Sequence, residues 1–398
     1  MDMHSDTTTQ DTTTQDTNED VFESWDHLDI DPDILRGIFS YGFEIPSNIQ
    51  KKAIIPMIKK RDVIAQAQSG TGKTAAFSVG SLARVDLSQR NCQVLIMSPT
   101  HELTHQIATV IGSLSSAMKG LVIKTIVGGS SMNEDVAQMR QNPPHIIVGC
   151  PGRVYDMMTR RHLNLSTVKL AVLDEADEML SSGFSEQVYN IFQGLNSSVQ
   201  FALFSATLPD NIMQIANTIM KNPVIISVKS ESLTLEGIKQ YYIAMEDDLQ
   251  KYRTIKDLYS SLSVSQCIIY CNSVKRVVDL YNTMCADQFP VCCIHSNMDK
   301  NEREKTITDF RSGSSRVLIS SNVTARGIDI QQVSIVINFD LSKDIYTYLH
   351  RIGRSGRWGR KGMGITFVTR RDIDTIKEIE RYYETQIDEL PANFLVDI

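Results

Sequence analysis

Short apolar runs alternate with stretches of helical periodicity from residue 21 onward. The first half holds five such runs, at residues 63–65, 94–97, 146–148, 170–173 and 201–204. The second half holds five more, at residues 267–270, 292–294, 317–319, 335–337 and 365–368. Apolar runs of three to five residues between helical segments are typical of buried parallel strands in βα units. The pattern therefore predicts an α/β fold with two similar lobes and a cleft between them.

The domain boundaries follow from the segments that lack this pattern. Residues 6–20 read DTTTQDTTTQDTNED and offer no apolar side chain to bury, so residues 1–20 are predicted to be a disordered tail. Residues 228–237 (VKSESLTLEG) are polar and end in glycine, which predicts a linker. The lobes are then residues 21–227 and 238–398, each within the size range of one domain.

Composition and charge exclude several classes of protein. Six of the 47 acidic residues lie in residues 1–20, so the rest of the chain carries 41 acidic and 40 basic residues, unlike a polybasic nucleic-acid binder. Seven cysteines without a Cys-x-x-Cys pair match neither a disulfide framework nor a zinc ribbon. No apolar run is long enough to span a membrane, and residues 1–20 do not read as a signal peptide. We therefore expect a cytoplasmic protein.

The candidate chemistry lies where the predicted strands end. Each first-half run is followed by a small or polar cluster, and parallel strands bring such clusters to one edge of the sheet, where α/β folds bind ligands. The first cluster, residues 67–74 (AQSGTGKT), lies between a strand and a helix and is typical of a phosphate-binding loop, although Ala67 replaces the usual first glycine. Lys73 would neutralise phosphate charge and Thr74 would bind Mg²⁺.

Two acidic side chains follow the fourth apolar run. Asp174 and Glu175 emerge at the ligand edge about one strand away from Lys73, so Asp174 is predicted to hold Mg²⁺ through water and Glu175 to orient the attacking water as general base. Near the C-terminus, residues 350–357 (HRIGRSGR) place arginines every three residues. Arginine stabilises charge on a transferring phosphoryl group, and these would reach it from the second lobe.

One motif favours a different class of enzyme. His101, Glu102 and His105 match His-Glu-x-x-His, the signature of zinc peptidases, in which two histidines one helical turn apart bind the metal. The strand predicted just before it and the absence of the Gly-x-x-His extension both argue against this alternative.

The motifs taken together, in chain order, resemble the DEAD-box family of ATP-dependent RNA helicases, especially its translation-initiation members. They are GFEIPSNIQ (42–50), AQSGTGKT (67–74), PTHEL (99–103), GG (128–129), PGR (151–153), DEAD (174–177), SAT (205–207), ARGID (325–329) and HRIGRSGR (350–357). The resemblance implies two tandem RecA-like domains that close on ATP, Mg²⁺ and RNA. It also implies single-stranded RNA bound without regard to sequence, and a scaffold partner like the 4G initiation factor. No sequence feature indicates an oligomer, so a monomer is expected.

The resemblance also implies roles for individual residues. Phe43 would stack on adenine, Gln50 would hydrogen-bond the adenine edge, and Asp329 would approach the ribose. The loop residues that would bind phosphate are Gln68, Ser69, Gly70, Thr71, Gly72, Lys73 and Thr74. Arg354 and Arg357 would act as arginine fingers. Hydrolysis would be linked to RNA through Asp177, Ser205, Thr207 and His350. The residues that would contact RNA are Pro99, Thr100, Gly129, Arg153 and Arg326.

Several positions depart from the family pattern, and they cluster on the predicted RNA side. In the first lobe His101 replaces an arginine, Thr104 an alanine and Cys150 a threonine. The departures in the second lobe are Val274, Lys300 and the Ser-Ser-Asn at 320–322. Losing an arginine–phosphate contact weakens RNA binding and its salt dependence. Two activities stay open: remodelling of short duplexes, and an ATP-gated RNA clamp like the exon-junction helicase.

Overall fold

The structure, a computed structural model, describes residues 21–67, 70–181, 183–227, 238–261, 266–322, 333–355 and 362–391. The predicted tail (1–20) and linker (228–237) lie outside the described residues. The described parts form two α/β lobes, each built on a seven-stranded sheet, as the apolar runs predict. None of the described helices is long and apolar enough to cross a membrane.

The sheet of the first lobe has the order β3-β4-β2-β5-β6-β1-β7, and its strand pairs are parallel. Its strands are β1 (Val63–Gln66), β2 (Val94–Met97), β3 (Ile123–Ile126), β4 (Ile146–Gly149), β5 (Leu170–Asp174), β6 (Gln200–Ser205) and β7 (Val224–Ser227). A 3₁₀ turn (Trp25–His27) precedes nine described helices: α1 (Pro32–Ser40), α2 (Asn48–Ile58), α3 (Lys73–Leu82), α4 (His101–Leu114), α5 (Met132–Gln141), α6 (Pro151–Thr159), α7 (Ala176–Ser181), α8 (Ser185–Gln193) and α9 (Asp210–Ile219).

The sheet of the second lobe has the order β10-β11-β9-β12-β13-β8-β14, and its strand pairs are also parallel. Its strands are β8 (Ile238–Ala244), β9 (Gln266–Tyr270), β10 (Val291–Ile294), β11 (Val317–Ser320), β12 (Val333–Asn338), β13 (Gly362–Val368) and β14 (Asp388–Glu389). The described helices are α10 (Asp248–Ser261), α11 (Val274–Ala286), α12 (Lys300–Arg311), α13 (Ile345–Ile352) and α14 (Ile373–Tyr383).

The apolar runs form strands because helices cover both faces of each sheet. Every residue of β2, β4, β5 and β6 is buried, and separate hydrophobic clusters pack on the two faces of the first sheet. All ten predicted runs are strands, and nine of them are fully buried, as expected for continuous apolar sequence in parallel strands; the exception is 292–294 in the edge strand β10.

The strand order decides which loops meet at the carboxyl edge of the first sheet. The neighbours β5, β6 and β1 end at Asp174, Ser205 and Gln66, and the backbone N–H of Ala67 donates to the Ser205 carbonyl at 3.0 Å. The loop after β1, the acids after β5 and the polar residues after β6 are therefore neighbours. This edge faces the second lobe, which places its α13 against it.

Candidate active site between the two lobes

The phosphate-binding loop leads from β1 into the first turn of α3. Gly72 caps α3 in the left-handed region (φ +99°), and Gly70 also has a positive φ of +84°. The positive φ favours glycine at position 72, and a Cβ there would also lie 2.6 Å from Gln50 Nε2 and displace that side chain. The N-terminus of α3 thus presents backbone N–H groups to the cleft, which favours a bound anion. Gln68 and Ser69 of the loop lie outside the described residues.

Lys73, Asp174 and Glu175 meet beside this loop. Lys73 is 5% exposed, and its Nζ lies 3.8 Å from Glu175 Oε1. Asp174 accepts a hydrogen bond from the Glu175 N–H at 3.0 Å, and Glu175 itself adopts the left-handed conformation (φ +53°). A non-glycine residue held there is strained, and such strain is frequent at functional sites. The sequence-predicted triad is thus assembled as expected from the strand order.

The carboxyl groups of Asp174 and Glu175 are buried side by side at this corner of the site. Burial, together with the neighbouring Glu175 carboxylate, raises the pKa of Asp174 to about 7, although Lys73 opposes the shift. A divalent cation would offset this crowding of carboxylates. Thr74 lines the same cavity as Asp174, and a hydroxyl with a carboxylate supplies the oxygen ligands that Mg²⁺ prefers. The residues present therefore fit Mg²⁺.

A cavity of about 550 Å³ opens above these residues, within the usual size range of small-molecule sites. Its described lining includes Tyr41, Phe43, Ser47, Gln50, Gly70, Thr71, Gly72, Lys73, Thr74, Asp174, Glu175 and Arg354. One end is aromatic and amide-bearing, whereas the other is cationic and carboxylate-bearing. This polarity matches a ligand with a flat ring at one end and phosphates at the other.

The aromatic end is built from the segment before α2. The ring of Phe43 stacks on buried Trp25 with centroids 6.2 Å apart and contacts Tyr41 at 4.8 Å. Gln50 accepts from the Ser47 N–H at 2.7 Å in a capping box, and its Nε2 donates to the Gly72 carbonyl at 3.3 Å. Gln50 thus joins the aromatic end to the phosphate loop, and its amide keeps one N–H and one lone pair for a ligand.

The predicted coupling residues form one buried cluster. Asp177 Oδ2 accepts from Thr207 Oγ1 at 2.8 Å and lies 3.0 Å from His350 Nε2 of the second lobe. The Asp177 N–H donates to Ser205 Oγ at 3.3 Å, and all four side chains are at most 3% exposed. The cluster connects the ends of β5 and β6 to α13. A movement of these strand ends in the first lobe would therefore move α13 of the second lobe.

Arginines of the second lobe follow His350 along the chain. Arg354 is 2% exposed, lines the cavity, and donates from Nε to the His350 carbonyl at 3.3 Å. It therefore lines the same cavity as Lys73. Arg357 and Asp329, predicted to act at the same site, lie outside the described residues.

Arg351 belongs to the motif whose arginines were predicted to reach a phosphoryl group, yet its guanidinium is buried within the second lobe, with an exposure of 0%. Its guanidinium donates to Asn272, Asn322 and Asn338 side chains and to the Asp340 carbonyl, at 2.6–3.3 Å. It lies over the Tyr270 ring at 5.2 Å, and burial lowers its pKa to about 10. Arg351 thus ties three strand ends of the second sheet to α13, which carries His350.

The predicted RNA residues lie along the other half of the first sheet's carboxyl edge. Pro99 and Thr100 follow β2, Gly129 follows β3 and Arg153 lies in the first turn of α6, after β4. Thr100 caps α4 by accepting from the Leu103 N–H, and Gly129 has a positive φ of +82° with open space around it. Arg153 donates to the Ser130 carbonyl at 2.7 Å and pairs with Asp135 at 3.3 Å. Arg326 lies outside the described residues.

The unusual first-lobe residues on this side fit internal contacts. Thr104 Oγ1 lies 2.7 Å from Ser98 Oγ and 3.4 Å from Cys150 Sγ. Thr104 and Cys150, which both depart from the family pattern, thus contact each other. Glu102 pairs with Arg303 of α12 at 3.1 Å, a second link between the lobes that sequence reasoning missed. The zinc-peptidase alternative gains no support, because the one group of three metal-ligating side chains found within the described ranges contains neither His101 nor His105.

Comparison with known proteins agrees with this geometry. Residues 47–215 match the family described as DEAD/DEAH box helicase, and residues 250–359 match the Helicase conserved C-terminal domain. The chain is 48% identical over 375 residues to proteins named "ATP-dependent RNA helicase eIF4A" from Aspergillus clavatus and Neurospora crassa. In both cases 94% of this chain and 94% of the relative are covered.

Two solved structures share this fold. The structure of S. cerevisiae Dbp5 bound to RNA and ADP BeF3 matches with a TM-score of 0.86 and 34% identity, covering 94% of this chain and 97% of that one. A DEAD box protein from the hyperthermophile Methanococcus jannaschii matches with a TM-score of 0.54 and 32% identity, covering 93% of this chain and 100% of that one. The sequence similarity over nearly the whole length, with motifs assembled in one cleft, shows that the chain belongs to the DEAD-box family of RNA helicases.

Proposed function

We propose that this protein hydrolyses ATP in response to single-stranded RNA and uses the resulting lobe movements to open or remodel short RNA duplexes, in translation initiation. The observation that carries the proposal is the 3.0 Å contact between Asp177 and His350. It joins the acids of the nucleotide site to α13, the helix that leads into Arg354, the proposed arginine finger. Hydrolysis competence and closure of the lobes therefore depend on each other.

Phe43 and Gln50 would bind the adenine ring, which accounts for a preference for ATP. Stacking uses the face of Phe43, whose position is fixed by Trp25 behind it. The backbone N–H groups of the loop and Lys73 would bind the phosphates. Thr74 and Asp174 would hold Mg²⁺, largely through water, and bound Mg²⁺ would neutralise phosphate charge.

Glu175 would act as general base towards the attacking water. Its carboxylate lies 3.8 Å from Lys73, so it sits beside the phosphate end of the cavity, and the strained backbone fixes its direction. Arg354 would stabilise the charge that develops on the transferring phosphoryl group. Arg357 and Asp329 are proposed to complete the site from the second lobe. Both residues are required only when the lobes are closed.

RNA would lie along the outer part of the carboxyl edge, near Thr100 and Gly129. Turns and helix N-termini there offer backbone N–H groups to phosphates, which are the same for every base. Arg153 would act mainly by shaping this surface, since its guanidinium already binds Ser130 and Asp135. Arg326 is proposed to contact RNA from the second lobe. Binding would therefore be independent of RNA sequence.

We propose residues 21–227 and 238–398 as the two domains, residues 228–237 as their linker and residues 1–20 as a tail. The related proteins are named "ATP-dependent RNA helicase eIF4A", and by resemblance to initiation-factor helicases we propose a cytoplasmic monomer that works with a 4G-like scaffold. Such a scaffold would raise turnover by favouring the closed arrangement.

A second candidate function, an ATP-gated RNA clamp, is favoured by one observation. Two separate contacts, Asp177–His350 and Glu102–Arg303, hold the lobes together, and such contacts would slow release. Dissociation of an ATP-analogue complex from RNA against excess competitor separates the two candidates. Release within seconds supports the remodelling enzyme, whereas persistence for many minutes supports the clamp.

The test of the main proposal is steady-state ATP turnover by the full chain with and without single-stranded RNA. A DNA strand of the same sequence and length is the matched control. We expect RNA to raise turnover and DNA to leave it near the basal rate. Turnover that RNA does not change would contradict the proposed coupling.

A further inference from the structure

Three buried side chains with metal-binding atoms meet at the boundary between the lobes. They are Glu175 and Asp177 of the first lobe and His350 of the second, with exposures of 4%, 3% and 3%. One oxygen or nitrogen atom of each lies within 4.8 Å of the others. Among the described residues, no other group of three or more histidine, cysteine or acidic side chains is this close. The cluster exists only because the lobes meet.

The donor atoms are those of a transition-metal site. Carboxylate oxygen and imidazole nitrogen are ligand atoms that Zn²⁺ accepts, at bond lengths of about 2.0–2.2 Å, and three protein ligands leave a position for water. Ligand atoms of such a tetrahedral site lie about 3.3–3.5 Å apart. Asp177 Oδ2 and His350 Nε2 are already 3.0 Å apart, so a shift of a few tenths of an ångström would suffice for this pair.

The central ligand is held in place by its neighbours. Asp177 Oδ1 accepts from the Glu178 N–H at 3.0 Å, and Oδ2 accepts from Thr207 at 2.8 Å. Hydrogen bonds of this kind orient metal ligands, and their loss weakens metal binding about 10- to 100-fold. Lys73, 3.8 Å from Glu175, is the cation that a metal would have to compete with.

We propose that Glu175, Asp177 and His350 form an inhibitory site for a divalent transition metal, with Zn²⁺ as the best match. The bound metal ties the two lobes together and engages Glu175, which then cannot serve the attacking water. The site differs from the proposed Mg²⁺ position at Thr74 and Asp174, because imidazole nitrogen favours Zn²⁺ over Mg²⁺. Binding requires neither ATP nor RNA, so this inference goes beyond the proposed function.

The first experiment measures metal binding by the full chain without nucleotide or RNA. Zn²⁺ affinity is determined by competition with a chromophoric chelator, and Co²⁺ serves as the spectroscopic probe. We expect His350→Gln to weaken Zn²⁺ binding at least tenfold, and Thr207→Val, which keeps all three ligands, to weaken it about tenfold. Circular dichroism verifies that both variants are folded.

Two control variants separate this site from others. Cys285→Ser removes an exposed thiol, and Thr74→Ala removes the proposed Mg²⁺ ligand; both should retain Zn²⁺ affinity within about twofold. The Co²⁺ complex should lack the intense thiolate bands of a cysteine site. Equal Zn²⁺ affinity in wild type and His350→Gln, or loss of binding in Cys285→Ser, would overturn the proposal.

The second experiment tests whether the metal bridges the lobes. Small-angle X-ray scattering of the nucleotide-free chain should show a smaller radius of gyration with Zn²⁺, and His350→Gln should show no change. Turnover with saturating MgATP and RNA should fall when Zn²⁺ is added and recover with a chelator. An unchanged radius of gyration would overturn the bridging site. Failure of RNA to stimulate turnover of MgATP in buffer free of Zn²⁺ would instead contradict the proposed function.

Discussion

Arg303 Nη1 lies 3.1 Å from Glu102 Oε1, so α12 of the second lobe is paired with the first turn of α4 in the first lobe. Both side chains are mostly buried, at 16% and 13% exposed, which limits screening by solvent. The pair lies beside the proposed RNA-binding residues, whereas Asp177–His350 lies beside the proposed ATP site. The lobes are therefore linked at two separate places.

This ion pair should contribute to closure on RNA. Glu102→Arg places two cations together and should lower RNA-stimulated turnover about tenfold, which corresponds to about 1.4 kcal/mol of coupling. The double variant Glu102→Arg with Arg303→Glu should recover most of the loss. Turnover is measured at limiting RNA, and basal turnover without RNA is the control. Additive losses in the double variant would show that the pair does not couple the lobes.

Replacement of the proposed general base, Glu175, should separate binding from hydrolysis. Glu175→Gln keeps the shape of the side chain but removes its basicity, so turnover should fall at least 10³-fold while nucleotide affinity stays within a few fold. Nucleotide binding is followed with a fluorescent ATP analogue. Glu186→Gln, an exposed glutamate in the first turn of α8, is the matched control and should be unaffected. Undiminished turnover in Glu175→Gln would remove this residue from the mechanism.

Sequence reasoning found the strands that read as continuous apolar runs and missed strands such as β3 and β8, which mix polar and apolar residues. Strand β3, Ile-Lys-Thr-Ile, lies at a sheet edge and is only partly buried, so two of its four residues are polar. Strand β8 is interior but contains Gln240, whose amide is satisfied by Thr385 and Tyr348. These partners come from distant segments of the chain, so the local sequence pattern could not predict that this glutamine would be buried.

The same distinction applies to the candidate site. Lys73, Asp174 and Glu175 could be predicted because strand order alone brings them together. The partners of Trp25 and Arg303 depend on how distant helices pack, which periodicity does not encode. One local signal was available: Ser47 and Gln50 have the Ser-x-x-Gln spacing of a capping box. It would have shown that Gln50 holds the start of α2 in addition to facing the cavity.

The raised pKa of Asp174 predicts an opposite pH dependence of stability and activity. Because its pKa in the folded protein, about 7, exceeds its unfolded value near 3.8, the folded state holds this proton more tightly. The stabilising contribution is complete below about pH 4 and is lost as pH rises through about 7. Mg²⁺ binding needs the ionised carboxylate, so activity should rise over the same upper range.

The measurement is thermal unfolding of wild type and Asp174→Asn between pH 5 and pH 8. The difference between them isolates this carboxyl from other titrating groups. Wild type should lose stability relative to Asp174→Asn as pH rises, and MgATP should diminish that trend in wild type alone. A constant difference across the range would show that Asp174 is ionised throughout.

Trp25 should tune nucleotide affinity from behind the aromatic end of the cavity. Its ring is fully buried and stacks on Phe43, and such pairs contribute about 0.5–1.5 kcal/mol. Trp25→Phe should therefore raise KM for ATP about three- to tenfold with a smaller effect on kcat. Phe39→Ala, a 45% exposed aromatic residue on α1, is the matched control. Equal effects of both variants on KM would argue against a specific role for the stack.

Arg351 predicts a stabilising substitution. Its Nε and Nη2 both donate to the Oδ1 atom of Asn322, at 3.0 and 2.6 Å, so a guanidinium that is fully buried is held by neutral acceptors. In Asn322→Asp a carboxylate would receive the same two donors, and a charge-assisted forked pair is stronger than a neutral one. The arginine is already removed from water in the folded protein, so the only added desolvation free energy is that of the new carboxylate.

We expect Asn322→Asp to gain about 1–2 kcal/mol in the free energy of unfolding of the second lobe. Differential scanning calorimetry measures it, with Asn322→Ala as the control that should destabilise. A lower transition temperature in Asn322→Asp would mean that desolvating the carboxylate outweighs the pair.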